Sequence, residues 1–230
     1  MPPPAFHTSP EPDHNLTLAD QSSDHHAPVI TLSLSNPTIQ ALFPTFLASS
    51  TDEASMHTVV QSMTTEIIKA AKQHNPTLSH VPVTLVPILR GALPMYVAAS
   101  QQFYAPSCVL VRGSRAKGEA SARIEWLGRR PFPLLPENGH IVLLDTVIAT
   151  GGTILKICDE LMALSGSQLK YITILSCYVS PLGLAAVAKH PLVREIIVAV
   201  TAERVDENGY VVPYPGDVGD KLFGKAELHT

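Results

Sequence analysis

From residue 83 onward, short apolar runs rich in β-branched residues alternate with stretches of helical periodicity. The runs and periodic stretches are Val83 to Leu89, Ala92 to Phe103, Cys108 to Val111, Ile141 to Leu144, Thr153 to Leu164, Ile172 to Val179, Pro181 to Lys189 and Glu195 to Val200. Strands that read apolar throughout, separated by crossover helices, predict an α/β fold with a mainly parallel sheet covered on both faces. Ligands of such sheets sit at the carboxyl ends of the strands. Upstream, Ser50 followed by Glu53 reads as a capping box. Met56, Val59, Val60, Met63, Ile67 and Ile68 then recur at helical spacing up to Asn75-Pro76, which predicts one amphipathic helix with a core-facing stripe.

Two segments break this rhythm. Residues 1–28 are rich in Pro, Ser, Asp and His with few large apolar side chains, so they are expected to form a disordered arm ahead of a single domain over 29–230. His25-His26 in that arm supplies neither the ligand count nor the geometry of a metal site. Gly113 to Gly139 mixes Arg115, Lys117, Glu119, Arg123, Arg129 and Arg130 with three prolines, and a connection of that length is expected to be a mobile, basic cover.

Composition narrows the classes. With 230 residues, 45% of them hydrophobic, the chain can bury one sizeable core. Its 20 acidic against 16 basic side chains give a net charge of −4 without a Lys/Arg run, which argues against nucleic-acid binding. Cys108, Cys158 and Cys177 lack CxxC spacing and are expected to be reduced, mostly buried thiols. No apolar run approaches the roughly 18 residues that span a bilayer, so a cytoplasmic protein without membrane association is expected. The glycosylation match at Asn15-Leu16-Thr17 is then a chance one.

The chemistry concentrates after one apolar run. Ile141-Val-Leu-Leu-Asp145 ends in a carboxylate, and Thr146-Val-Ile-Ala149-Thr150-Gly151-Gly152-Thr153 leads into a helix. A small-residue turn opening a helix presents free N–H groups and a positive dipole end, which together hold a phosphate. No Lys follows the glycines and G-x-G-x-x-G is absent, so neither of the two commoner nucleotide loops is present.

This string resembles the phosphoribosyl-pyrophosphate loop of the type I phosphoribosyltransferases, and three further segments resemble the uracil phosphoribosyltransferase family among them. Val86-Pro-Ile-Leu-Arg90-Gly91-Ala92 is similar to its V-P-I-L-R-A-G turn, and Val179-Ser-Pro-Leu-Gly183 through His190-Pro191 to its A-P-x-G…H-P stretch. Gly209-Tyr-Val-Val-Pro-Tyr-Pro-Gly-Asp-Val-Gly-Asp220 is similar to G-Y-I-V-P-G-L-G-D-A-G-D, and the resemblance runs from about Asn36 to Lys225.

The resemblance implies a mainly parallel sheet flanked by helices, with a flexible hood hairpin and a C-terminal hood loop that binds the base. It implies transfer of phosphoribose from 5-phosphoribosyl 1-pyrophosphate to uracil, giving UMP and pyrophosphate. Mg²⁺ would be carried on the donor's pyrophosphate, with no metal ligand assigned to the protein. The donor would meet Arg90, Arg112, Asp145, Ala149, Thr150, Gly151, Gly152 and Thr153; the base would meet Tyr210, Val211, Gly216, Asp217 and Val218. Asp145, Arg90 and Asp217 would serve the reaction itself. A homodimer or homotetramer is also implied.

Some matched positions depart from the pattern. Thr146 replaces Pro, Gly91-Ala92 inverts Ala-Gly and should shift the unusual backbone angle by one residue, and Tyr214-Pro215 replaces Gly-Leu, adding bulk to the base loop. Ala202 stands for Asp, Lys221 for Arg, and Leu47-Ala48 for Leu-Arg. These departures motivate two other readings, a catalytically weak homologue that binds uracil, UMP or the donor, and transfer to a different base.

Overall fold

The computed structural model describes residues 25–33, 35–114, 122–128, 140–165 and 171–225. The expected arm up to residue 24, with its Asn15 motif, and the greater part of the expected cover, 115–121 and 129–139, lie outside these residues.

The chain opens on β1 (Val29–Thr31), α1 (Pro37–Leu47) and α2 (Glu53–His74), and a 3-10 turn at Pro76–Ser79 leads into β2 (Val83–Leu89) and α3 (Leu93–Ser100). Next come β3 (Ser107–Cys108), β4 (Leu110–Ser114) and β5 (Arg123–Leu127), then β6 (His140–Ile148) and α4 (Gly152–Ser165). β7 (Tyr171–Val179), α5 (Pro181–Ala188) and β8 (Val193–Thr201) follow, and β9 (Arg204–Val205), β10 (Val211–Val212) and α6 (Val218–Phe223) carry the C-terminal loop.

The main sheet has the order β1-β8-β7-β6-β2-β4-β5, with β3 also pairing β2. Every pairing in it is parallel except β4 with β5, which run antiparallel from Leu110↔Leu127 to Ser114↔Arg123. Side chains of β6 alternate between two cores. Val142 and Leu144 join Met56, Val60, Met63 and Ile67 of α2 on one face. Ile141 and Leu143 join Ile154, Ile157 and Leu161 of α4 on the other. Because both faces are covered, apolar residues occupy both parities of the strand, which is why these runs carry no alternation.

The long helix forms as its periodicity predicts, but it starts on a different cap. Asp52 accepts from the Ser55 N–H at 2.8 Å, so the Ser50–Glu53 capping box does not form. An Asp immediately before the first helical residue is better placed, and its charge suits the positive helix end. α1 was not predicted, and it contains two residues of a type that ordinarily interrupts helices, Pro37 and Pro44. Pro37 occupies the first turn, where it is tolerated, and Asn36 caps the helix by accepting from the Ile39 N–H at 3.0 Å.

Within the expected arm, Ala27 is buried and donates its N–H to the Ala188 carbonyl at 2.8 Å. Cys158 and Cys177 are buried, as expected, and burial pushes both thiols up to about 12. At the amino-terminal edge of the sheet Glu195, 2% exposed, accepts from Thr173 Oγ1 at 2.7 Å and Asn75 Nδ2 at 3.0 Å, which satisfies a buried charge. Among the described residues no helix is long and apolar enough to cross a membrane.

Candidate active site

Three adjacent strands, β6, β2 and β4, deliver Asp145, Arg90 and Arg112 to one end of the sheet. Leu89 is paired with Arg112, and Pro87 with Leu144, so the two arginines and the carboxylate emerge at nearly the same height. A cleft of about 580 Å³ opens there. Arg90, Gly91, Arg112 and Asp145 line one side, and Tyr210, Tyr214 and Gly216 to Gly219 line the other.

Asp145 is half-buried, and desolvation raises its carboxyl from 3.8 to about 7 against the opposing N–H groups of Val147 and Thr146. A carboxylate disfavoured in this way gains most when a ligand donates hydrogen bonds to it. Arg90 follows a cis peptide at Leu89-Arg90. Its guanidinium donates to Asp220 Oδ1 at 2.7 Å and to the Gly224 carbonyl at 3.2 Å. The anionic partner an Arg requires after a buried strand is therefore an acid 130 residues away. Arg112 pairs with Glu125 of β5 at 3.3 Å across an exposed surface.

The inverted Gly91-Ala92 pair does not move an unusual backbone angle by one residue. Neither residue is among those with positive φ, and Ala92 lies at φ −82°, ψ 4° as the cap of α3. The glycine serves space instead: a Cβ at position 91 would come 2.6 Å from Thr146 Oγ1. Two departures from the family pattern thus pack against each other.

The turn after β6 is braced from behind. Gly151 has φ +79°, and a Cβ there would meet Val187 Cγ2 at 2.8 Å. Ser180 donates its hydroxyl to the Ala149 carbonyl and accepts from the Gly183 N–H at 2.9 Å, which caps α5 against the turn. α4 then begins with the Leu155 N–H bonded to the Gly151 carbonyl and no acid in its first turn, as an anion-binding helix end requires. Ala149 to Thr153 do not themselves line the cleft. They border it through Thr153, whose Cγ2 lies 2.5 Å from where a Cβ on Gly113 would be.

The C-terminal loop is held at several points. Asp206 Oδ1 accepts from the N–H groups of Asn208 and Tyr210 at 2.9 and 2.8 Å. Tyr178, rooted in the core, donates its hydroxyl to the Pro213 carbonyl at 3.2 Å, next to a cis peptide at Val212-Pro213. Gly216 turns at φ +84°, and Asp217 caps α6 by accepting from the Asp220 N–H at 2.9 Å. Lys221 donates to the Ala48 carbonyl at 2.8 Å, stitching α6 to the end of α1.

Of the residues singled out from sequence, Arg90, Arg112, Asp145, Tyr210, Gly216, Asp217 and Val218 share the cleft. Val211 is 1% exposed and belongs to the core, so only its backbone is at hand for a ligand. Asp220, Ser180 and Gly183 were not singled out for a role. The first is visible only as the second acid of Asp217-Val-Gly-Asp220, and the other two sit in a stretch that carried resemblance but no assigned chemistry. Among the described residues no group of three or more His, Cys, Asp or Glu side chains is placed to hold a metal ion.

The sequence profile of the uracil phosphoribosyltransferase family matches residues 36–225. A uracil phosphoribosyltransferase of Clostridium acetobutylicum is 34% identical over 144 residues, and one of Streptococcus pneumoniae is 33% identical over 143. Each match covers 62% of this chain and 65% of the relative's length. Among solved structures, the AQ2163 protein from Aquifex aeolicus superposes with a TM-score of 0.71 at 22% identity, covering 86% of this chain and 100% of that one. An adenine phosphoribosyl transferase from Trypanosoma brucei, in complex with AMP, pyrophosphate and ribose-5-phosphate, gives a TM-score of 0.52 at 16% identity, covering 78% and 87%. Both share the fold.

Proposed function

The chain belongs to the uracil phosphoribosyltransferase family, and from that membership we propose that it transfers phosphoribose from 5-phosphoribosyl 1-pyrophosphate to uracil, releasing pyrophosphate and UMP. The observation that carries this reading is one cleft lined at once by Asp145, Arg90 and the loop from Gly216 to Gly219. A sugar anchored at Asp145 places its C1′ between the arginine and the loop, so a base held by that loop faces the carbon it attacks.

In this reading the N–H groups from Ala149 to Thr153 hold the 5′-phosphate, and Asp145 accepts from the ribose hydroxyls. Arg90 and Arg112 stabilise the negative charge of the departing pyrophosphate. The backbones of Val211, Gly216 and Val218 read the polar edge of uracil, while Asp217 orders the turn beneath the reacting nitrogen. Mg²⁺ bound to the donor's pyrophosphate supplies further charge neutralisation, with Asp145 and Asp217 the acids that line the cleft. We assign no protein ligand set to it. In this reading the antiparallel β4–β5 pair would serve as the base of a hood that closes over the donor and excludes water. Assembly into a dimer or tetramer belongs to the same proposal.

Purified protein supplied with uracil, donor and Mg²⁺ should yield UMP and pyrophosphate. Asp145→Asn and Arg90→Ala should each cut turnover by about tenfold or more. Unchanged rates in both variants would remove the donor assignment. The Arg90–Asp220 ion pair and the Tyr214 ring at the cleft favour one second reading, a homologue that binds donor, uracil or UMP with weak turnover. Binding of UMP without product formation would select that version.

A further inference from the structure

Tyr210 and Tyr214 form a ring pair on the base side of the cleft, centroids 4.9 Å apart and planes tilted by 53°. Each is 50% exposed, yet the backbone that carries them is firmly fixed. Tyr210 is held by its N–H on Asp206, the Pro213 carbonyl by Tyr178, and Pro215 is buried. Both rings line the cleft, and the contact between them leaves half of the Tyr214 side chain exposed there. Gly216, Asp217 and Val218 line the same cleft.

We propose that Tyr214 is a base-binding residue whose ring stacks on the flat face of the nucleobase and supplies affinity, while the neighbouring backbone reads the base's edge. The inference rests on the functional reading above and deepens it by naming how the base is bound. A π-face is common to every base, so stacking adds affinity without selecting between pyrimidines. Edge contacts, in contrast, discriminate, because a mismatched donor or acceptor is left unpaired. Affinity and selectivity thereby reside on different atoms of the same loop. Burial, Asp217, Tyr210, Asp220 and Asp206 all push the Tyr214 hydroxyl above its ordinary value, so the ring stays neutral beside these acids.

Calorimetric titration of UMP, CMP and ribose 5-phosphate into wild type, Tyr214→Phe, Tyr214→Leu and Tyr214→Gly tests this directly. Tyr214→Phe should bind all three ligands as wild type does. Tyr214→Leu, which keeps bulk and limits loop freedom, and Tyr214→Gly should each weaken UMP and CMP by about tenfold and by the same factor, leaving ribose 5-phosphate unchanged. In turnover, KM for uracil should rise while KM for the donor holds. Equal or tighter UMP binding by the Leu and Gly variants overturns the proposal, since the ring would then be idle or obstructive. Parallel loss of ribose 5-phosphate overturns it too, by making Tyr214 a structural support. Wild-type protein that binds none of the three ligands instead overturns the cleft assignment beneath both readings.

Discussion

Gly91 and Thr146 are best understood as one unit, because the glycine leaves the space that the threonine hydroxyl fills. Gly91→Ala alone should displace the turn that carries Arg90 and raise KM for the donor by about tenfold, as a shift of a few tenths of an ångström at a positioned group does. Adding Thr146→Ala should recover most of that loss, and the double-mutant cycle measures the coupling. Asp145 makes a second residue-level case. Its carboxyl titrates at 3.8 ordinarily and at about 7 here, so the folded chain holds the proton more tightly than the unfolded one. That preference leaves stability at its highest below pH 4 as far as this group is concerned, and removes it progressively as pH rises to about 7. Asp145→Asn should therefore melt higher than wild type at pH 8, with the gap closing toward pH 4, even as turnover falls. Thermal melts across pH read the first effect and initial rates the second.

Among the elements, α5 acts as a brace rather than a ligand carrier. Its capping Ser180 and its Gly183 press on the Ala149 carbonyl, and a Cβ at 183 would run into that backbone. Gly183→Ala should push the phosphate turn forward, weakening the donor by about tenfold or more and lowering Tm, both readable on purified protein. The strands and the turn after Asp145 were legible in sequence because their signals are local: a both-parity apolar run, then small residues, then a helical period. α1 was not, since Pro44 sits in its interior and only the packing of Ile39 and Phe46 outweighs that penalty. Asp52 displaced Ser50 as a cap for a reason a spacing rule does not weigh, namely which candidate directly abuts the first turn. The Arg90–Asp220 pair lay beyond any window-based reading, with 130 residues between partners.

At the scale of the molecule, the parallel order of β8, β7, β6, β2 and β4 puts all their carboxyl ends on one edge, and two separate cores hold that edge rigid from either face. This arrangement was predictable from the alternation of runs, whereas the return of the C-terminal loop over the same edge followed only from resemblance, because nothing local to residues 209–220 encodes where they dock. A ligand that binds both sides should stabilise the whole: UMP at about 100 times its Kd adds roughly 2.7 kcal/mol, or roughly 5–10 °C in Tm for a domain of this size. Differential scanning calorimetry with and without UMP checks it, and no shift would mean the nucleotide does not engage the fold. Tyr178 gives this architecture an unexpected division of labour. Its ring is wedged among Phe43 and Phe46 while its hydroxyl reaches Pro213. The half of the cleft that the proposed function gives to the nucleobase is thereby moored to the first helix, and the half it gives to the sugar-phosphate to the strands. A conservative change such as Phe43→Leu, remote from every reacting atom, should loosen one half and spare the other, so drift in the opening helix can retune which acceptor is taken without disturbing how the donor is held.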